Sequence, residues 1–146
     1  MNQILKKIKD EFASFVTEKK AKIKHKNHGN MEFLKLVPTS NNKKIAVEIN
    51  FIYMLNEEGL DVLIEYEKRN ADKEIIKKSY SFSSYLKKGS LEMIDKDMLG
   101  LIEESFKYEV LDSKLKSVIP LQTQADNFIS VIKNSWNIII NYNEMI

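Results

Sequence analysis

The residues of this chain nearest to a reactive arrangement are four carboxylates and a lysine. Glu48 lies in one alternating segment, and Asp61, Glu65 and Glu67 lie in the next, which runs on into Lys68. Metal-dependent nucleases hold magnesium between carboxylates on adjacent strands and activate water with an acid-x-lysine pair. Here Glu65 is followed two positions later by Glu67 rather than by lysine. Lys68 falls on the opposite face of the strand, because side chains alternate. The carboxylates are therefore expected to present charge rather than to hold a reacting metal.

The other reactive types are fewer. His25 and His28 are the only histidines, and Lys24 and Lys26 flank the first. Zinc needs three or four ligands, and neighbouring ammonium groups repel a dication. Without cysteine there is no disulfide, no thiolate nucleophile and no cysteine-based metal site. The glycines, at 29, 59, 89 and 100, are isolated, so no phosphate-cradling loop is spelled out. The expectation is a chain without catalytic residues, metal or cofactor.

Lys19, Lys20, Lys22, Lys24 and Lys26 form a dense basic stretch that could meet phosphates or an acidic protein. Of the 23 basic residues only Arg69 is an arginine, which leaves 22 lysines. Arginine supplies the planar fork that reads guanine edges, so sequence-specific DNA readout is disfavoured. Abundant lysine, isoleucine and asparagine also suit an AT-rich bacterial or phage genome.

The elements that must position these groups follow from periodicity. Residues 2–24 place Ile4, Ile8, Phe12, Phe15, Val16 and Ile23 on one helical face, with Asn27-His28-Gly29-Asn30 as the stop. Met31–Val37 reads as a short strand ended by Pro38. Ile45, Val47, Ile49, Phe51, Tyr53 and Leu55 then alternate without a break, a period that fits a strand and not a helix. After a turn at Asn56–Gly59, Leu60, Val62, Ile64 and Tyr66 alternate in a third strand. Glu74–Ser83 is expected as a fourth. A helix capped by Asp95 carries Met98, Ile102 and Phe106, and residues 110–119 stay ambiguous. A last helix enters at Pro120 with Leu121, Ala125, Phe128, Ile132, Trp136, Ile139 and Asn143 in one stripe.

The fold class implied is α+β. A three- to four-stranded antiparallel meander is packed on one face by N-terminal and C-terminal helices, a two-layer sandwich. At 146 residues, with 43% hydrophobic and 30% charged content, the chain suits a single domain over 1–146 with one core. The longest aliphatic run, Ile138-Ile139-Ile140, is far short of the roughly 20 residues of a membrane helix. With no apolar signal segment at the start, a cytoplasmic, membrane-free protein is expected.

Four-residue loops would set Leu55 opposite Leu60, Phe51 opposite Ile64 and Glu48 opposite Glu67. A four-residue loop at Thr39–Asn42 would set Leu36 opposite Ile45. The last loop would set Lys77 opposite Glu65. The face away from the helices would then carry Glu48, Asn50, Ile52, Asp61, Leu63, Glu65 and Glu67, an apolar centre with an acidic rim. A surface of that kind suits a protein partner. The function implied is a non-catalytic bacterial inhibitor of the immunity type, which occludes a basic toxin domain. Two other readings remain. One is a nucleic-acid-associated or phage-encoded regulator using the Lys19–Lys26 stretch. The other is a homodimer through the open sheet face.

Overall fold

In the computed structural model, residues 1–39, 45–56, 59–69, 72, 74–81 and 121–141 are described. The expected helix after Asp95 and the ambiguous segment 110–119 lie outside them. The elements are α1 (Gln3–Glu18), β1 (Lys22–His28), β2 (Met31–Val37), β3 (Ile45–Met54), β4 (Gly59–Arg69), β5 (Ile75–Ser81), α2 (Leu121–Asn134) and α3 (Trp136–Ile140). The strands form one antiparallel sheet in the order β1-β2-β3-β4-β5. The α+β meander packed by N- and C-terminal helices is therefore present, with five strands instead of three or four.

The added strand comes from the residues assigned to the end of the first helix. That helix stops at Glu18, six residues before Lys24. Lys20 takes a left-handed conformation, φ 56°. The Ala21 N–H donates to the Val16 carbonyl (2.8 Å) and the Lys20 N–H to the Thr17 carbonyl (3.4 Å). These two bonds make a Schellman motif, with lysine where glycine is usual. The chain then turns back as β1, and Gly29-Asn30 joins β1 to β2 as a two-residue hairpin loop between His28 and Met31. Gly29, at φ 60°, occupies the first loop position, as a type II′ turn requires.

The start of α1 is held from a distance. Asn2 is the N-cap, its Oδ1 accepting from the Ile4 N–H at 2.7 Å. In a local capping box, a carboxylate on the third helical residue would accept from the N-cap's own N–H. That residue is Leu5. The carboxylate comes instead from buried Glu32 on β2, whose Oε2 accepts the Asn2 N–H at 2.8 Å.

Between the helices and the sheet lies one apolar cluster. Leu5, Ile8, Phe12 and Val16 of α1 meet Leu34 and Leu36 of β2, the odd positions Ile45–Tyr53 of β3, and Leu60, Val62, Ile64 and Tyr66 of β4. Ala125, Phe128, Ile132, Trp136 and Ile139 bring the expected C-terminal stripe into the same cluster. The ring of Trp136 meets that of Phe15 edge-on at 5.1 Å, and Phe12 packs on Phe51 at 5.6 Å. Tyr66 donates its hydroxyl to the Ile139 carbonyl at 2.7 Å and so ties α3 to the sheet. The last helix is interrupted at Ser135. Hydrogen bonds from Ser135 N–H to Val131 and from Ile139 N–H to the Ser135 carbonyl, both 2.9 Å, carry the chain across the break.

The strand registers differ from the expected ones by even numbers of residues. Phe51 stands opposite Val62, Ile49 opposite Ile64 and Met54 opposite Gly59, a shift of two. Leu36 pairs with Ile49 and Leu34 with Phe51, a shift of four, and Ile76 pairs with Lys68 instead of Tyr66. An even shift leaves each residue on its assigned face, whereas an odd one would have exchanged the faces.

Candidate functional site

The face turned away from α1 and α2 carries every residue of the expected contact surface, but in a different arrangement. Glu48 lies directly opposite Glu65, not Glu67. Glu67 sits between Ala46 and Lys77, and Glu65 faces Ser79 on its other side. Asn50 pairs with Leu63 and Lys35, and Ile52 with Asp61 and Phe33. Lys77 therefore stands opposite Glu67 and not Glu65. Lys35 reaches Glu48, with Nζ 3.3 Å from Oε2.

Burial divides this surface in two. Asn50 and Ile52 are only 1% and 8% exposed, so β3 is buried on both faces from Asn50 to Tyr53. Ile52 lies outside the cluster formed with the helices, so its burial belongs to the other face. Ile52 is therefore closed to a partner, whereas Leu63 is half-buried. Asn50 donates from Nδ2 to the Leu63 carbonyl at 3.3 Å and approaches Glu65 Oε1 at 3.5 Å, while its buried Oδ1 has no hydrogen-bond partner. Towards the Ile45 end the face opens. Ala46 and Glu67 are exposed, Glu65 is half-buried, and the Glu48 side chain is 40% exposed. The accessible acidic group is thus Glu48, Glu65 and Glu67. Asp61 lies away from it, beside Ile52, its Oδ1 accepting from the Val62 N–H at 2.8 Å. Leu63 is half-buried between them.

The electrostatics of this corner are unusual for neighbouring strands. Residues directly opposite in an antiparallel pair hold their Cβ atoms about 4.5–5.5 Å apart, and like charges there are destabilising. Glu48 has one ammonium group, Lys35, on one side. What the arrangement offers chemically is a strip of anionic oxygen for a cation. Among the described residues, no three His, Asp or Glu side chains converge as a metal site.

The basic stretch is also rearranged. Lys19 is the C-cap of α1, with Nζ 5.8 Å above the Phe15 ring, and Lys20 is the left-handed residue after it. Lys22, Lys24 and Lys26 lie on β1, opposite Val37, Lys35 and Phe33. These five lysines do not form one helical end. The expectation of histidines at a helix end and in a turn is corrected too, since both lie on β1. His25 is not without a partner, because its Nε2 is 3.4 Å from Glu32 Oε2. Periodicity gave no sign of the Glu32–Asn2–His25 group. The one signal it left in sequence is a glutamate among the apolar positions Leu34 and Leu36 of the same strand face.

Among the described residues, no helix is long and apolar enough to cross a membrane. No protein-family model, curated protein or solved structure matches this chain.

Proposed function

We propose that the protein is a non-catalytic, protein-binding inhibitor of the immunity type, which docks the Glu48, Glu65 and Glu67 corner onto a basic toxin domain. The observation that carries this reading is the Glu48–Glu65 pair, two carboxylates directly across a ladder, at the open end of a face whose middle is buried at Asn50 and Ile52. A fold gains nothing from that pair, whereas a cationic partner surface would be drawn to it and steered into register. Toxins that act on nucleic acids carry such cationic grooves, and a small protein with an acidic corner can block one without chemistry of its own.

Neutralisation provides the test. The products of the genes flanking its own are expressed singly to find one that is toxic, the chain is co-expressed with that product, and cell survival is scored for wild type and for Glu48→Lys/Glu65→Lys/Glu67→Lys. The wild type should rescue growth. The triple variant should fold, by circular dichroism, and fail to rescue. Rescue by a folded triple variant would remove the acidic corner from the inhibitor's contact surface.

A further inference from the structure

We propose that the free edge of β1 is a docking site for an acidic peptide segment in extended conformation, which adds to the sheet as a sixth strand. The site lies on a different strand from the acidic corner and does not rest on the inhibitor reading. β1 is the terminal strand of the sheet, and among the described residues only β2 pairs with it. An unpaired strand edge offers a row of backbone donors and acceptors to another chain. The two-residue loop between His28 and Met31 fixes which groups these are. In such a hairpin the closing pair is hydrogen-bonded, and hydrogen-bonded pairs then alternate along the ladder. Lys26, Lys24 and Lys22 thus bond to β2, and the main chains of Asn27, His25 and Ile23 point outward.

Exposure agrees with that assignment. His25 is exposed as a residue although its side chain is only 28% exposed, so its main chain is the open part. The strand has no proline, and its pairing with β2 runs unbroken through seven residue pairs, so nothing bends the edge away.

Charge selects the occupant. Lys22, Lys24 and Lys26 project on one face of β1 at every second position, roughly 7 Å apart. A strand lying antiparallel beside them with acidic residues at alternate positions would place a carboxylate near each ammonium group. A second copy of β1 would place lysine against lysine, which argues against edge-to-edge pairing of this chain with itself. A nucleic acid would satisfy the lysines but leave the outward backbone groups of Ile23, His25 and Asn27 without strand partners.

The probe is a fluorescein-labelled nine-residue peptide with glutamate at alternate positions and valine or threonine between. Three competitors accompany it: the same peptide with lysine for glutamate, the same peptide N-methylated on its strand-pairing amides, and a single-stranded twelve-nucleotide DNA. Binding to the full chain is read by anisotropy, and amide exchange by NMR. The acidic peptide should bind, weaken as salt rises, and slow exchange at Ile23, His25 and Asn27 by about tenfold or more, with little change at Lys22, Lys24 and Lys26. The N-methylated peptide should lose binding despite its unchanged charge. His25→Pro, at an outward N–H that the sheet does not use, should abolish binding and keep the fold. Equal binding of the N-methylated peptide, or tighter binding of the DNA than of the peptide, would overturn the proposal.

Discussion

Lys20 and Glu32 are two residues whose roles are fixed by backbone geometry. Lys20 sits at φ 56°, where a Cβ crowds the backbone, and it ends α1 in a motif that usually employs glycine. Lys20→Gly relieves that crowding and is expected to raise stability by about 1 kcal/mol, after allowing for the greater freedom glycine gives the unfolded chain. Urea denaturation of the two proteins measures it, and an unchanged midpoint would mean that the lysine pays no conformational cost here. Glu32 is buried and accepts the N-cap N–H of α1. Glu32→Ala leaves that donor without its partner and should cost about 1–2 kcal/mol, with early amides of α1 exchanging faster than its late ones. Neither role was legible in the sequence. A lysine among lysines carries no mark of left-handed geometry, and the partner of Glu32 is 30 residues away in the chain.

At the scale of elements, the sequence read well where burial imposes a period and poorly where it does not. β3 and β4 have one face against the helices, and their alternation identified both strands and the faces of every residue. β1 has only Ile23 packed against the core, so no alternation marks it. Ile23 also lies seven residues after Val16, as a continuing helix would place it. Gly29 completed the misreading, because a helix stop and a type II′ hairpin both want a glycine at positive φ. Register failed for a related reason. Leu55 extends the alternation of β3, yet it is 51% exposed and its N–H bonds to the Asn30 carbonyl of the β1–β2 turn at 2.9 Å. That turn takes Leu55 out of the strand and moves the β3–β4 pairing by two residues. Gly29 itself gives an element-scale prediction. No atom lies within 4 Å of where a Cβ would stand, so Gly29→Ala meets only the conformational penalty, about 1 kcal/mol. The loss should concentrate in the hairpin, with faster exchange at Lys22, Lys24 and Lys26 than in β3. Uniform acceleration across the sheet would instead mean that β1 and β2 open only with global unfolding.

Across the whole molecule, a net charge of +2 conceals a separation of signs on one sheet face. Lysines 22, 24 and 26 line the β1 edge, Lys35 lies one strand in, and Glu48, Glu65 and Glu67 follow on the next two strands. The sequence showed these residues but not their order in space, which depends on registers that the expected turn positions mis-set. Only the structure brings Glu48 and Glu65 face to face and leaves Glu67 beside Lys77. Folding places the first pair against its own electrostatics, so stability and partner binding should pull in opposite directions at Glu65. Glu65→Gln removes the like charge while keeping an oxygen for the Asn50 amide. It should therefore stabilise the free protein by about 0.5 kcal/mol, with the gain shrinking as salt screens the repulsion. The same substitution weakens the anionic strip, so association with a basic partner should slow while dissociation changes less. Thermal melts at low and high salt, with stopped-flow association rates, examine the two halves together. A Glu65→Gln protein that melts lower than wild type at low salt would show that Glu65 serves the fold, and the case for its role in binding would then lose its physical basis.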